Sequence, residues 1–161
     1  MSFAALGIWA CLPVLLYIIY TDLSDLRIPN AAVMVLMIIF AATQLPVLPL
    51  QELTMRVLAA TAIFGLCLIV FALHLLGGGD VKLLPAVVLF VPSMEWAQFV
   101  LALSVSVILT LTILRWLRGF SSGGKWKSVN QTSRYPLGPA IALAGLVYKP
   151  LGAVVISALS S

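Results

Sequence analysis

Two aspartates of this chain each lie next to a long apolar stretch. Asp22 follows the apolar run Phe3–Tyr20, and Asp80 follows a run of three glycines that begins at Gly77. A charged side chain near the middle of a bilayer costs at least ~2.5 kcal/mol on insertion scales, so carboxylates in such positions are candidates for a functional role. Two aspartates on two membrane segments suggest one shared site.

A pair of neighbouring carboxylates is suited to the activation of water. The two groups cannot both ionise cheaply, so the pair can hold a single shared proton. The ionised member takes a proton from water as the water attacks an amide carbonyl, and the protonated member donates to the carbonyl oxygen or, later, to the departing amine. Coupled groups titrate as a pair, so the sequence leaves open which aspartate has which role. This chemistry requires no metal and no dissociable cofactor.

The composition is that of an integral membrane protein. Hydrophobic residues make up 63% of the 161-residue chain and charged residues only 9%, proportions that exclude a soluble globular domain of this length. The first apolar run has no basic segment before it and no small-residue cleavage site after it, so it predicts a retained span rather than a signal peptide. The length predicts a single membrane-embedded domain over residues 1–161.

The apolar runs predict an all-α bundle of about six transmembrane helices. They cover residues 3–20, 31–50, 57–76, 80–96, 98–114 and 137–159. Pro46 and Pro49 should kink or end the second helix, because proline lacks the amide donor. The run Leu83–Val91 is too short to cross a bilayer alone. We therefore expect the fourth helix to begin at the glycines, to end near Pro92 or Trp96 and to cross at partial depth.

The basic residues predict the orientation. The loop that holds Glu52 has only Arg56, whereas the loop between the fifth and sixth spans carries Arg115, Arg118, Lys125, Lys127 and Arg134. Short loops rich in Lys and Arg remain in the cytoplasm. Counting spans back places Asp22 and Asp80 on the cytoplasmic side and both termini outside. The same rule explains the net charge of +4 without a nucleic-acid partner.

The glycines before Asp80 allow two interpretations. Without Cβ atoms they leave space for an extended substrate beside the carboxylate, as an intramembrane protease would need. Glycine-rich breaks also line binding cavities in transporters, so a small proton-coupled transporter that uses Asp80 as a proton relay is the alternative from a different class.

Two motifs resemble those of the type IV prepilin peptidases, membrane aspartic proteases of the Gly-x-Gly-Asp type. In the segment Asp22–Asn30, an aspartate is followed seven positions later by the proline of Ile-Pro-Asn. The second motif, Gly-x-Gly-Asp followed by a hydrophobic residue and lysine, is matched by Gly77, Gly79, Asp80, Val81 and Lys82. The stretch Pro136–Ala140 is also similar to the carboxy-terminal region of that family.

The resemblance implies an endopeptidase that cuts the leader from type IV prepilins or pseudopilins at the cytoplasmic face of a bacterial inner membrane. Asp22 and Asp80 would form the catalytic pair. Residues that would support the site or bind substrate are Gly77, Gly79, Lys82, Pro29 and Asn30. The implied partners are the substrate, the lipid bilayer and the pilus assembly machinery. A preflagellin or presenilin-like protease is the alternative with the same chemistry.

The size of the chain is similar to that of the short prepilin peptidases that serve tight-adherence (Flp-type) pili. Larger members of the family carry an amino-terminal region with paired cysteines and also methylate the new pilin terminus. The present sequence shows no such region, so methylation is not expected.

Several other residues have competing explanations. Asp25 is the main rival of Asp22, but we expect it to be solvated or to cap a helix. We expect His74 to be a packed or interfacial residue rather than a metal ligand or base. Cys11 and Cys67 are expected to be apolar packing residues.

Lys82 could pair with a site carboxylate or anchor its helix at the headgroups. Pro29 and Asn30 should shape the entry to the second helix.

Overall fold

The fold is all-helical over the residues that the computed structural model describes, which are 3–120 and 137–159. Six α-helices occur in this part of the chain: α1 Phe3–Asp25, α2 Asn30–Thr43, α3 Leu50–Ala72, α4 Gly78–Val88, α5 Trp96–Phe120 and α6 Gly138–Leu159. A short 3₁₀ helix, Ser93–Glu95, precedes α5. The predicted all-α class is therefore confirmed, and every predicted span corresponds to a helix.

The short helix α4 is the central element of the bundle. It packs against α2, α3 and α6, while α1 packs against α2 and α6, and α5 packs against α6. Its residues are buried on nearly every side, including Val81, Leu83, Val87 and Val88. After Lys82, which is exposed, the helix is enclosed on nearly every side and needs no polar face, which explains the continuous apolar sequence Leu83–Val88.

Two helices are shorter than the spans predicted for them. α2 has 14 residues and α4 has 11, about 21 Å and 16 Å at the helical rise of 1.5 Å per residue. α2 ends at Thr43, before Pro46, and α3 begins at Leu50, directly after Pro49. The predicted spans 31–50 and 80–96 were too long because hydropathy does not register prolines and turns. The expected end of α4 near Pro92 or Trp96 is wrong as well.

Two other helices are long and apolar enough to cross a membrane. Within the described residues these are Leu50–Ala72 and Ser93–Leu117. Many of their large apolar side chains remain exposed, among them Leu66, Ile69 and Ile108. The core helix of a soluble protein would bury such residues. Of the basic loop, Lys125, Lys127 and Arg134 lie outside the described residues.

A partly buried ion pair holds the carboxyl end of α4. Arg56 is only 4% exposed, and its Nε donates to Oε1 of Glu52, one turn earlier on α3, at 2.8 Å. Its Nη1 donates to the backbone carbonyl of Leu89, the residue that caps α4, at 3.3 Å. Glu52 also accepts hydrogen bonds from the backbone N–H of Ser93 at 2.8 Å and from its hydroxyl at 2.6 Å. A cation at a helix carboxyl end interacts favourably with the helix dipole. The prediction that Arg56 lies in a loop is therefore wrong.

We expect the substitution Arg56→Met to destabilise the fold by about 2 kcal/mol, because it removes the charged hydrogen bond to Glu52 and leaves the Leu89 carbonyl without its donor. Thermal unfolding in detergent with a thiol-reactive dye measures this effect, since Cys11 and Cys67 are both buried free thiols. The double variant with Glu52→Gln should cost less than the sum of the two single changes. An unchanged midpoint for Arg56→Met would refute the structural role of the pair.

Candidate active site

Asp22 lies in the last turn of α1 and is buried, with 5% exposure. The helix ends three residues later, at Asp25. Leu26 adopts a left-handed conformation with φ 54°, and its N–H donates to the Asp22 carbonyl at 3.1 Å. A left-handed residue is the common way to end a helix, although it is usually glycine. The chain then turns, so that Ile28 comes back towards the Asp22 side chain.

Asp80 lies in the first turn of α4 and is also buried, with 7% exposure. Its carboxylate lies close to Gly77, the N-cap residue: a Cβ atom on Gly77 would lie 2.8 Å from Oδ2 of Asp80. The absence of a side chain at the N-cap therefore leaves room for the carboxylate. A carboxylate also interacts favourably with the amino end of a helix. Local sequence therefore explains the position of Asp80.

The amino end of α6 completes the site. The backbone N–H of Gly138 donates to Oδ2 of Asp22 at 3.0 Å. Helix amino ends stabilise anions because their first amides have no partner within the helix. Asp22 thus receives a hydrogen bond from a residue 116 positions away in the chain.

Ile28 packs between two glycines of the site. A Cβ atom on Gly79 would lie 2.8 Å from the Cβ of Ile28, and one on Gly138 would lie 3.0 Å from its Cδ1. The same added atom on Gly138 would lie 2.6 Å from Oδ2 of Asp22. α4 and α6 can therefore approach the end of α1 this closely only because both positions are glycine.

The two carboxyl groups are close enough for the charge of Asp22 to act on Asp80. Their hydrogen bonding differs. Asp22 accepts the Gly138 amide, whereas Oδ1 of Asp80 is buried and has no hydrogen-bond partner among the described residues. Low-dielectric surroundings make ionisation of both groups costly, so the arrangement is suited to one charge and one shared proton. The structure thus places both predicted aspartates at the same end of the bundle.

The supporting residues of the two motifs contact each other. Nζ of Lys82 donates to Oδ1 of Asn30 at 3.0 Å, which links the second turn of α4 to the first residue of α2. Pro29 is the N-cap of α2 and is extended, with φ −64° and ψ 133°. Pro29 and Asn30 therefore shape the entry to α2, as expected, whereas the Lys82–Asn30 contact was not foreseen.

Asp25 differs from Asp22 in its surroundings. Its side chain is exposed and accepts a hydrogen bond from the Ser24 hydroxyl at 3.1 Å. The expectation of a solvated Asp25 agrees with this position. Among the described residues, no three His, Cys, Asp or Glu side chains form a group that could hold a metal ion.

His74 ends α3 rather than facing the aspartates. It is exposed and left-handed, with φ 60°, and its N–H donates to the Phe71 carbonyl at 2.9 Å. The Leu75 N–H donates to the Val70 carbonyl at 3.2 Å. These two bonds form a Schellman motif, in which the left-handed position usually holds glycine.

We expect His74→Gly to stabilise the protein by up to about 1 kcal/mol, because glycine adopts the left-handed conformation without strain. Activity should not change. His74→Ala keeps a Cβ and should give no such gain, which makes it the matched control in the thermal unfolding assay. If both variants abolished activity, the capping explanation would be wrong and His74 would be part of the site.

Two residues of the site were not assigned from the sequence. Gly138 was noted only as part of a family-like stretch, and Ile28 only as part of Ile-Pro-Asn. Neither carries a functional group, so their types gave no chemical signal. Pro136, which begins that stretch, lies outside the described residues.

The chain belongs to the type IV leader peptidase family, whose model matches residues 5–114, well over half of the sequence. It is therefore a peptidase. The matched region contains Asp22 and Asp80 and ends before α6. Searches of curated proteins and of solved structures gave no significant match.

Proposed function

We propose that this protein is an intramembrane aspartic endopeptidase that removes the leader of type IV prepilins or pseudopilins at the cytoplasmic face of a bacterial inner membrane. The observation that carries the proposal is the pair of buried carboxyl groups, Asp22 and Asp80, at one end of the bundle in a chain of the leader peptidase family. The family supports a peptidase, and the two carboxyl groups support the aspartic type.

The hydrogen bonds support a division of roles between the aspartates. Asp22, which accepts the Gly138 amide, holds the charge and acts as the general base. Asp80, whose Oδ1 has no partner in the described part of the chain, holds the proton and acts as the general acid.

Hydrolysis then proceeds in two balanced steps. Asp22 takes a proton from water while the water oxygen bonds to the scissile carbonyl carbon, and Asp80 gives its proton to the carbonyl oxygen. In the second step, the diol returns a proton to Asp80, the C–N bond breaks, and Asp22 gives its proton to the departing amine. Both aspartates end in their starting states, so no cofactor is consumed.

The membrane location is supported by composition and by the exposed apolar helices. Charged residues are 9% of the chain, and α3 and α5 leave many large apolar side chains uncovered. Lipid would cover these faces. The basic loop after α5 supports a cytoplasmic location for the aspartate end of the bundle.

The direct test is co-expression with a type IV prepilin, followed by mass spectrometry of the pilin. The expected result is a pilin shortened by its leader only when the protein is present. Reconstituted proteoliposomes test the transporter alternative, which predicts proton-driven flux and no cleaved product. Intact prepilin together with such flux would refute the proposal.

A further inference from the structure

The side chain of Ile28 lies along the first turn of α4. A Cβ atom added to Gly79 would lie 2.8 Å from its Cβ, 3.0 Å from its Cγ1 and 3.2 Å from its Cδ1. All three distances are shorter than an ordinary carbon–carbon contact, so the branched side chain already rests against the Gly79 backbone. Gly79 directly precedes Asp80. The contact therefore sets where the first turn of α4, and with it Asp80, lies relative to Ile28.

The position of Ile28 relative to Asp22 is set by the turn that ends α1. Leu26 is left-handed, and its N–H donates to the Asp22 carbonyl at 3.1 Å. Beyond this turn, Cδ1 of Ile28 lies next to Gly138, whose N–H donates to Oδ2 of Asp22. Ile28 therefore contacts the backbone beside each of the two aspartates, Gly79 on one side and Gly138 on the other.

A hydrogen bond draws the same two segments of the chain together. Nζ of Lys82, two residues after Asp80, donates to Oδ1 of Asn30, two residues after Ile28, at 3.0 Å. The Ile28 side chain opposes this approach, because a β-branched side chain is stiff at χ1 and does not turn aside easily. The polar contact closes the gap between the end of α1 and the start of α4, and Ile28 determines how far it closes.

We propose that Ile28 is a positioning residue that sets the separation of the Asp22 and Asp80 carboxyl groups, an inference that rests on the proposed function. Sharing one proton requires two carboxyl groups at a defined spacing. Groups that are too far apart ionise independently, and groups that are too close leave no space for the attacking water. Ile28 has no group that reacts. It acts on the rate of the chemical step through the position of the two aspartates.

A graded series at position 28 tests whether the shape of the side chain sets the rate. Ile28→Ala removes every side-chain atom beyond Cβ and should lower kcat for leader release about 30-fold with KM within about three-fold, because misplaced reacting groups lose rate. Ile28→Val keeps the branched stem and loses only Cδ1, so kcat should fall about three-fold. Ile28→Thr has nearly the shape of Ile28→Val and should match its kcat, although it adds a hydroxyl.

Ile39→Ala is the matched control for the loss of packing. Ile39 is partly buried and packs against the same core as Ile28, but it lies about 13 Å along α2 from Asn30. This variant should lower the thermal midpoint and keep kcat within about two-fold of the wild type, because its loss of packing does not reach the aspartates. The comparison of Ile28→Val with Ile28→Thr tests the proposal even if Ile28→Ala does not fold.

Three results would overturn the proposal. A higher KM with unchanged kcat in Ile28→Ala would make Ile28 a substrate-binding residue. A kcat for Ile28→Thr ten-fold below that of Ile28→Val would mean that exclusion of water, not shape, is what matters. Equal kcat values for Ile28→Ala and Ile39→Ala would reduce Ile28 to ordinary packing. In each case the proposed function stands as long as the wild type shortens prepilin, and if the wild type does not, the function itself fails.

Discussion

Asp80→Asn is expected to leave a folded, inserted protein that shortens prepilin ~10³-fold more slowly, and Asp22→Asn should do the same. Asparagine keeps the size of the side chain and an acceptor oxygen, so the Gly138 amide can still donate at position 22. What is lost is the ability to take up or release a proton. The measurement is the initial rate of leader release from purified prepilin in detergent.

Asp25→Asn is the matched control for that experiment. It removes the same charge three residues from Asp22, but at an exposed position, and should cleave at the wild-type rate. Normal processing by either Asp22→Asn or Asp80→Asn would eliminate the aspartic mechanism. Loss of cleavage in Asp25→Asn alone would mean that Asp25, not Asp22, is the first carboxylate.

Gly79→Ala is expected to lower kcat/KM about 100-fold, although it adds a single methyl group one residue before Asp80. The new Cβ would lie 2.8 Å from the Cβ of Ile28, which belongs to the stiff part of a branched side chain. α4 must therefore move away from the end of α1 and take Asp80 with it. Misplacement of a reacting group by about 1 Å can cost 10²-fold in rate.

Gly65→Ala is the control for the Gly79 substitution. Gly65 lies inside α3, and an added Cβ there would meet nothing within 4 Å. Alanine in a helix interior is favoured over glycine, so this variant should be more stable by about 0.5–1 kcal/mol and fully active. The thermal midpoint should therefore rise for Gly65→Ala, and the cleavage rate should fall only for Gly79→Ala. Equal activity of both variants would contradict the close packing at Ile28.

The sequence predicted the parts of the site that depend on local chemistry. Asp80 follows from a glycine N-cap and a first-turn carboxylate, and Asp22 from an ionisable residue at the end of an apolar run. Both patterns lie within one continuous segment of the chain. The contact of Gly138 with Asp22 could not be derived in this way, because it joins residues 116 positions apart and involves only a backbone amide.

The lengths of the helices were predicted less well than their number. Hydropathy averaged over ~20 residues merges a short helix with the apolar turn after it, as in the predicted span 80–96. Arg56 was assigned to a loop because of its charge, but it lies inside α3. There its guanidinium donates to Glu52 and to the Leu89 carbonyl, and Ser93 donates to Glu52. The spacing of Glu52 and Arg56, four residues apart, was the sign of this ion pair in the sequence.

The position of Glu52 and Arg56 on one helix has a consequence for biogenesis. Partners one turn apart can pair as soon as α3 is helical, before it contacts any other helix. A paired arginine and glutamate carry no net charge, so the cost of moving the arginine into lipid is reduced during insertion itself. We therefore expect α3 to enter the bilayer as an independent neutral segment, with α4 docking later onto an anchor that is already formed.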